Sequence, residues 1–170
     1  MRPISDYLRL LFFTSGLLIG VQVPAFIDQY GKSLEAHLLE STAALREFEK
    51  DAERYFDGDL AQLIAHYQKH GDPVIRDGGN SINAIYIRNQ VLAQAWKSFT
   101  TSSYSAYTHV LLAPLPEIKK EVWRSYTYSI ILNPSAIISG LTGGLILSLL
   151  IDICGMLVTG GMRRLLQPHQ

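Results

Sequence analysis

One cysteine, Cys154, is all the sequence offers, which excludes an intramolecular disulfide framework and any zinc site built from cysteine pairs. Neither charge sign is in surplus: 15 Lys plus Arg stand against 15 Asp plus Glu, so the basic footprint of a nucleic-acid binder is missing. Charged residues make up only 18% of the 170, below the roughly 25% of soluble domains, and apolar residues reach 48%. That balance excludes a disordered chain. No G-x-S-x-G elbow, Walker loop or dinucleotide fingerprint occurs, and no internal repeat or low-complexity linker. Gly78-Gly79 is an isolated pair without a preceding strand, which reads as a flexible turn and not as a phosphate cradle. Nothing catalytic is expected from this chain, and no cofactor.

What is present is apolar sequence, concentrated at the two ends. Leu10 to Ile27 reads LLFFTSGLLIGVQVPAFI, eighteen residues without a charge, which as a helix spans about 27 Å. From Tyr126 to Met162 the only charge is Asp152. Between these runs, Asp28 to Ser125 holds 24 of the 30 formal charges, so that part is expected to be aqueous. The predicted organisation is a tail over 1–9, a membrane helix over 10–27, an aqueous domain over 28–129, a second membrane helix over 130–162 and a tail over 163–170. Arg2, Arg9, Val23 and Ala25 leave a cleaved signal peptide as the alternative for the first run. Its length and the acidic Asp6 favour a retained span.

Orientation rests on the flanking cations. Arg2 and Arg9 lie at one end and Arg163 and Arg164 at the other, concentrated in very short tails, whereas Lys32, Lys119, Lys120 and Arg124 flank a long central segment. A segment of that length translocates largely regardless of its charge. Both termini are therefore expected to be cytoplasmic and the middle exported. Tyr30, Trp123, Tyr126 and Tyr128 fit an aromatic belt at the outer interface.

The middle carries helical periodicity and almost no strand signal. Ile27, Gly31, Leu34, Leu38, Ser41, Leu45, Phe48, Ala52 and Tyr55 alternate steps of four and three, a heptad seam. The simplest reading is one helix of some 50 residues running on from the first span, with a possible bend at Pro24. Asp57-Gly58-Asp59 should end it and cap a short helix, DLAQLIAHYQKH. Gly71, Asp72-Pro73 and Gly78-Gly79-Asn80 form the most turn-like stretch, with Ser81 as an N-cap. A second seam follows at Ile82, Ile85, Asn89, Leu92, Trp96, Phe99, Ser103, Ala106 and Val110, weakened by TTSSYS at 100–105. Asn89 on that seam fits a register-setting polar residue, or one turned to solvent. Pro114 and Pro116 break the chain before a short amphipathic piece, and Asn133-Pro134 should start a fresh helix. The predicted fold class is an all-α membrane protein, two transmembrane helices flanking an exported antiparallel helical bundle made of a long hairpin plus short helices.

Three side-chain groups are candidates for more than packing. Ala136, Gly140, Gly144, Ser148 and Asp152 recur every fourth residue, and the first span has its own pair, Gly16 and Gly20. Small residues at this spacing let helix backbones approach in lipid, so they define a membrane packing face between the two spans or between subunits. An antiparallel pairing would set Gly20 near the depth of Gly144. Asp152 stands eleven residues before Arg163, where a carboxylate is costly unless paired. Arg9 is its natural partner. Such an acid also marks some ion pathways, although a pathway usually needs further polar residues. His66 and His70 sit one turn apart and are weak metal candidates, lacking the glutamate of H-E-x-x-H and a third ligand. His37 with Glu40 is weaker. Cys154 lies in a membrane run, where a thiolate is disfavoured.

The stretches GVQVPAFIDQY at 20–30, LIAHYQKHGDP at 63–73 and ILNPSAIISGL at 131–141 resemble a family of uncharacterised bacterial membrane proteins found in Gram-negative bacteria. The resemblance runs nearly end to end. It implies an inner-membrane protein with two spans and no assigned activity, and it supplies no functional residues. The function expected from the sequence is that of a non-enzymatic scaffold or accessory subunit, whose bundle associates with itself or with another membrane protein. A ligand-sensing module without an output domain, or an oligomeric channel or transporter subunit with Asp152 on the path, are the alternatives.

Overall fold

A computed structural model describes residues 2–102, 104–126 and 134–165, with side chains described from Asp6 to Met156 within them. Among the described residues all regular structure is helical: α1 Arg2–Tyr55, α2 Leu60–Gln68, α3 Pro73–Thr100, α4 Ser105–Leu112, α5 Pro116–Ser125 and α6 Pro134–Leu165. The chain divides into two units, one formed by Met1–Asp28 with Ser125–Gln170 and the other by Gln29–Arg124.

In the first unit, α6 lies against the N-terminal part of α1. Among the described residues, two helices are long and apolar enough to cross a bilayer, Asp6–Tyr55 and Pro134–Met156. Leu10, Leu11, Leu18 and Ile19 on one, and Leu145, Ile146, Leu149 and Leu150 on the other, point away from the pair and are exposed. Monomeric soluble domains rarely leave so continuous an apolar surface in water. The architecture is that of an all-α membrane protein. Pro24 lies inside α1, which continues through it. Tyr128, Asn133 and the side chains of Arg2, Arg163 and Arg164 lie outside the described residues, as do 130–133 of the expected second span.

The second unit is a helical hairpin closed by short helices. From Ile27 to Ala52 the seam of α1 faces inward, with Gly31, Leu34, Ser41, Leu45 and Ala52 buried. Tyr55 departs from it: the helix ends there, and the ring is 67% exposed. The stop has a backbone cause. Asp57 and Gly58 adopt left-handed φ values of 52° and 84°, and the Phe56 and Gly58 amides both donate to the Ala52 carbonyl. Asp59 then caps α2, accepting from the Gln62 amide at 3.1 Å and from its side chain at 2.9 Å. That second bond, with the first, holds the Asp59 carboxyl below its ordinary pKa.

The turn expected at Gly78-Gly79-Asn80 is absent. Asp72 is the N-cap of α3, accepting from the Val74 amide at 2.8 Å, with Pro73 in the first turn. The glycines lie inside the helix, and Ser81 donates back to the Asp77 carbonyl instead of capping. Gly79 serves close packing: a Cβ there would stand 2.7 Å from the Cβ of Tyr67 and 2.9 Å from the Gln68 nitrogen. α2 folds onto α3 at that point, closing a core of Leu45, Ala52, Leu60, Leu63, Ile64 and Ile82.

The break between α3 and α4 falls where TTSSYS weakened the second seam, and Ser105 accepts from the Ser102 amide across it. Polar pins fix the register of the hairpin. Asn89 donates to Ser41 Oγ at 3.0 Å and to Thr42 Oγ1 at 2.8 Å, joining α3 to α1. Arg88 reaches Glu117 at 3.0 Å, joining α3 to α5.

Candidate functional site

The small-residue stripe of α6 is buried along its length, through Ala136, Gly140, Gly144 and Ser148, and it faces Gly16 and Gly20 of α1. A Cβ on Gly16 would lie 2.6 Å from the Gly143 carbonyl oxygen, and one on Gly20 would run into that of Ser139. The packing face therefore joins the two helices of one chain. Its register is one turn from the expected pairing: Gly20 meets Ser139 and Gly140, while Gly144 is covered by Phe13 and Gly16.

The same stripe ends in a polar cluster. The Arg9 guanidinium lies 3.4 Å from Asp152 Oδ2 and donates from Nε to Ser148 Oγ at 3.1 Å. One cation thus engages two successive stripe positions of α6. In hydrocarbon this neutralises both charges and fixes the rotation of α6 against α1. Cys154, two residues on, is exposed.

In the second unit a groove of about 630 Å³ opens where the end of α1 meets α2 and the start of α3. Tyr55, Phe56, Leu63, Tyr67 and Ile75 give it an apolar wall, and Asp51, His66 and His70 add polar groups. The His66 ring packs on Phe56, with centroids 5.5 Å apart. His70 Nδ1 accepts from the Asp72 amide at 3.2 Å, which leaves only Nε2 for any other contact. Both histidines thus share a groove, but among the described residues no group of three or more His, Cys, Asp or Glu is disposed to hold a metal ion.

A buried polar centre at the opposite end of this unit had no signal in the sequence. Tyr30 is fully buried, so it belongs to no aromatic belt. Its hydroxyl accepts from the Leu115 amide at 2.9 Å and stands 3.2 Å from His109 Nε2. Since the Leu115 N–H can only donate, the phenolic hydrogen is free to go to His109, which then carries its own proton on Nδ1. Burial lowers the His109 pKa, favouring this neutral ring, and burial also raises that of Tyr30. Phe99 packs against both rings, and its edge comes within 2.7 Å of where a Gly31 Cβ would stand. Gly31 is a seam position, but its role as the socket for Phe99 required the fold. Nearby, Glu121 accepts from His37 Nε2 at 2.8 Å and from Ser33 at 3.0 Å, and these bonds lower its pKa. His37 also lies 3.7 Å from Glu40.

These features define a helical membrane protein with a glycine-packed helix pair and a separate, grooved helical unit. The chain belongs to the family described as protein of unknown function DUF2937, whose pattern matches residues 4–164. No curated protein and no solved structure matches it.

Proposed function

We propose that this is a two-span protein of a bacterial inner membrane, with both termini cytoplasmic and residues 28–129 exported. In this reading it catalyses nothing and acts as an anchored module that binds another protein. The groove beside α2 carries the proposal. It is walled by aromatic side chains and includes Tyr55 and Ile75, which are 67% and 36% exposed, in a unit whose core is already closed beneath it. Exposed apolar surface around a concavity is the usual form of a protein-binding site. The glycine faces of α1 and α6 are occupied by each other within one chain, so association falls to the aqueous unit. The occupant is an apolar protein segment, from a second copy or from another membrane protein.

Native mass spectrometry from mild detergent tests this. The expected result is a closed multiple of 19.0 kDa, or 19.0 kDa plus a second protein, reduced to the bare chain by Ile75→Asp. A bare chain in the wild type, or a complex indifferent to Ile75→Asp and Tyr55→Asp, would overturn the proposal.

The size of the groove supports a second reading. About 630 Å³ lies within the roughly 300–1,000 Å³ of small-molecule sites, so a ligand-sensing module is the alternative. Saturable binding of a small aromatic solute, lost in Tyr67→Ala with the complex mass unchanged, would favour it.

A further inference from the structure

The Gln29–Arg124 unit has a second apolar surface, remote in sequence from the groove. Leu111 and Leu112, at the end of α4, are 72% and 83% exposed. Tyr104, which precedes α4, is 82% exposed, and Trp123 in α5 is 65% exposed. The core takes up one face of each of α4 and α5, where His109, Val110, Ile118 and Val122 are buried. Leu111, Leu112 and Tyr104 are not taken up by the core, and Trp123 keeps most of its surface exposed.

Their place in the unit is fixed by the Tyr30 centre. Tyr30 stands in the first turn of α1 inside this unit, one residue after Gln29. The Leu115 amide bonds its hydroxyl, and Phe99, the last large side chain of α3, packs on its ring. The whole stretch from the end of α3 through α4 is thereby gathered at the end of the unit where the chain enters. The chain leaves at the same end: Ser33, one turn on from Tyr30, donates to Glu121 at 3.0 Å, and Arg124 closes the unit three residues later. Exposed Lys119, Lys120 and Arg124 accompany the apolar group.

We infer that this end of the unit is a membrane-surface site, in which Leu111 and Leu112 enter the headgroup–acyl boundary of a bilayer with Tyr104 and Trp123 at headgroup depth. The inference rests on the reading of α1 and α6 as spans, because that reading brings the bilayer surface to Gln29 and Arg124. The chemistry fits lipid. Tyr and Trp concentrate at the interface, where an apolar ring and a polar tip are both satisfied. Leu on one side with cations nearby is the composition of an interfacial helix, and the cations would meet lipid phosphates. α4 is too short to hold such a position alone; the Tyr30–His109–Leu115 bonds hold it there. In this arrangement the short helix sets the depth of the unit.

Site-directed spin labels on the full chain in phosphatidylglycerol/phosphatidylcholine vesicles test the inference. Single cysteines at Leu112, Val74 and Leu145, each in a Cys154→Ser background, all replace exposed side chains. Collisional access to dissolved oxygen and to a water-soluble nickel chelate is compared. The expected result is oxygen-dominated access at 112 and 145 and nickel-dominated access at 74, the ratio at 112 differing from that at 74 by at least severalfold. Nickel access at 112 equal to that at 74, with 145 embedded, would overturn this inference and leave the spans standing. Nickel access at 145 would overturn both. Low access to both reagents at 112 would mean a protein covers it, and would also overturn the inference.

Discussion

Gly16 and Gly143 meet backbone to backbone, each occupying the space where the other's Cβ would be: 2.6 Å from the Gly143 oxygen on one side and 2.7 Å from the Gly16 oxygen on the other. No rotamer change relieves a clash with a carbonyl. Gly16→Ala must move a helix, so a loss of about 1–3 kcal/mol is expected despite the better helix propensity of alanine. Gly155, where an added Cβ would meet nothing within 4 Å, is the control, and Gly155→Ala should be neutral or stabilising. Thermal unfolding in detergent followed by helical circular dichroism reads both.

The adjacent glycines of α3 should separate in the same way. Gly78 has open space around its missing Cβ, whereas Gly79 is pressed against Tyr67 and Gln68. Gly78→Ala is expected to stabilise by about 0.5–1 kcal/mol through helix propensity. Gly79→Ala is expected to destabilise and to loosen α2, which hydrogen exchange at Leu63 and Ile64 would report.

That pair also marks how far the sequence was readable. Periodicity revealed the long α1, the α3 seam and the weak point at 100–105, because burial of one helix face imposes a period. Two glycines beside Asn80 look like a turn until α2 is present, since the local chain contains no trace of the helix that packs on it. The same holds for the polar contacts. Arg9 and Asp152 were legible as partners because an intramembrane acid has few options, and the 3.4 Å contact joins them. Tyr30 and His109 are 79 positions apart and carry no shared pattern. The aromatic character of Tyr30 pointed to an interface; the socket formed by Leu115, His109 and Phe99 buried it instead.

The Tyr30–His109 pair makes stability depend on pH. Burial holds His109 below its ordinary 6.5, so as pH falls the unfolded chain takes up a proton before the folded one. Stability is complete above about 6.5 and declines as pH drops below it toward the folded value. Glu121 acts in the same direction but lower: its bonds from His37 and Ser33 add stability above its ordinary 4.5 that is lost as acid protonates it. His109→Gln should flatten the decline between pH 7 and 5 while leaving the lower step, and Glu121→Gln should do the reverse. Melting temperature against pH distinguishes them. Tyr30→Phe, which leaves the Leu115 amide unpaired, is expected to cost about 1–3 kcal/mol at neutral pH.

The Arg9–Asp152 contact should behave as a coupled pair. Asp152→Leu leaves Arg9 with Ser148 alone among the described residues, and Arg9→Leu leaves the carboxylate without this cation. Each single change is expected to destabilise the helix pair more than the double change, because the double change removes both charges from hydrocarbon. A double-mutant cycle in detergent or bicelles reads the coupling, which should be about 1–3 kcal/mol. Strict additivity would remove this contact from the account.

The central claim is that the Gln29–Arg124 unit stands on the exported side of a membrane crossed by α1 and α6. Labelling with a membrane-impermeant maleimide in intact spheroplasts addresses it directly, using one cysteine at Val74 or one at Gln170 in a Cys154→Ser background. The account predicts that 74 reacts in intact spheroplasts and 170 reacts only after lysis. Reaction of 74 only after lysis would contradict it.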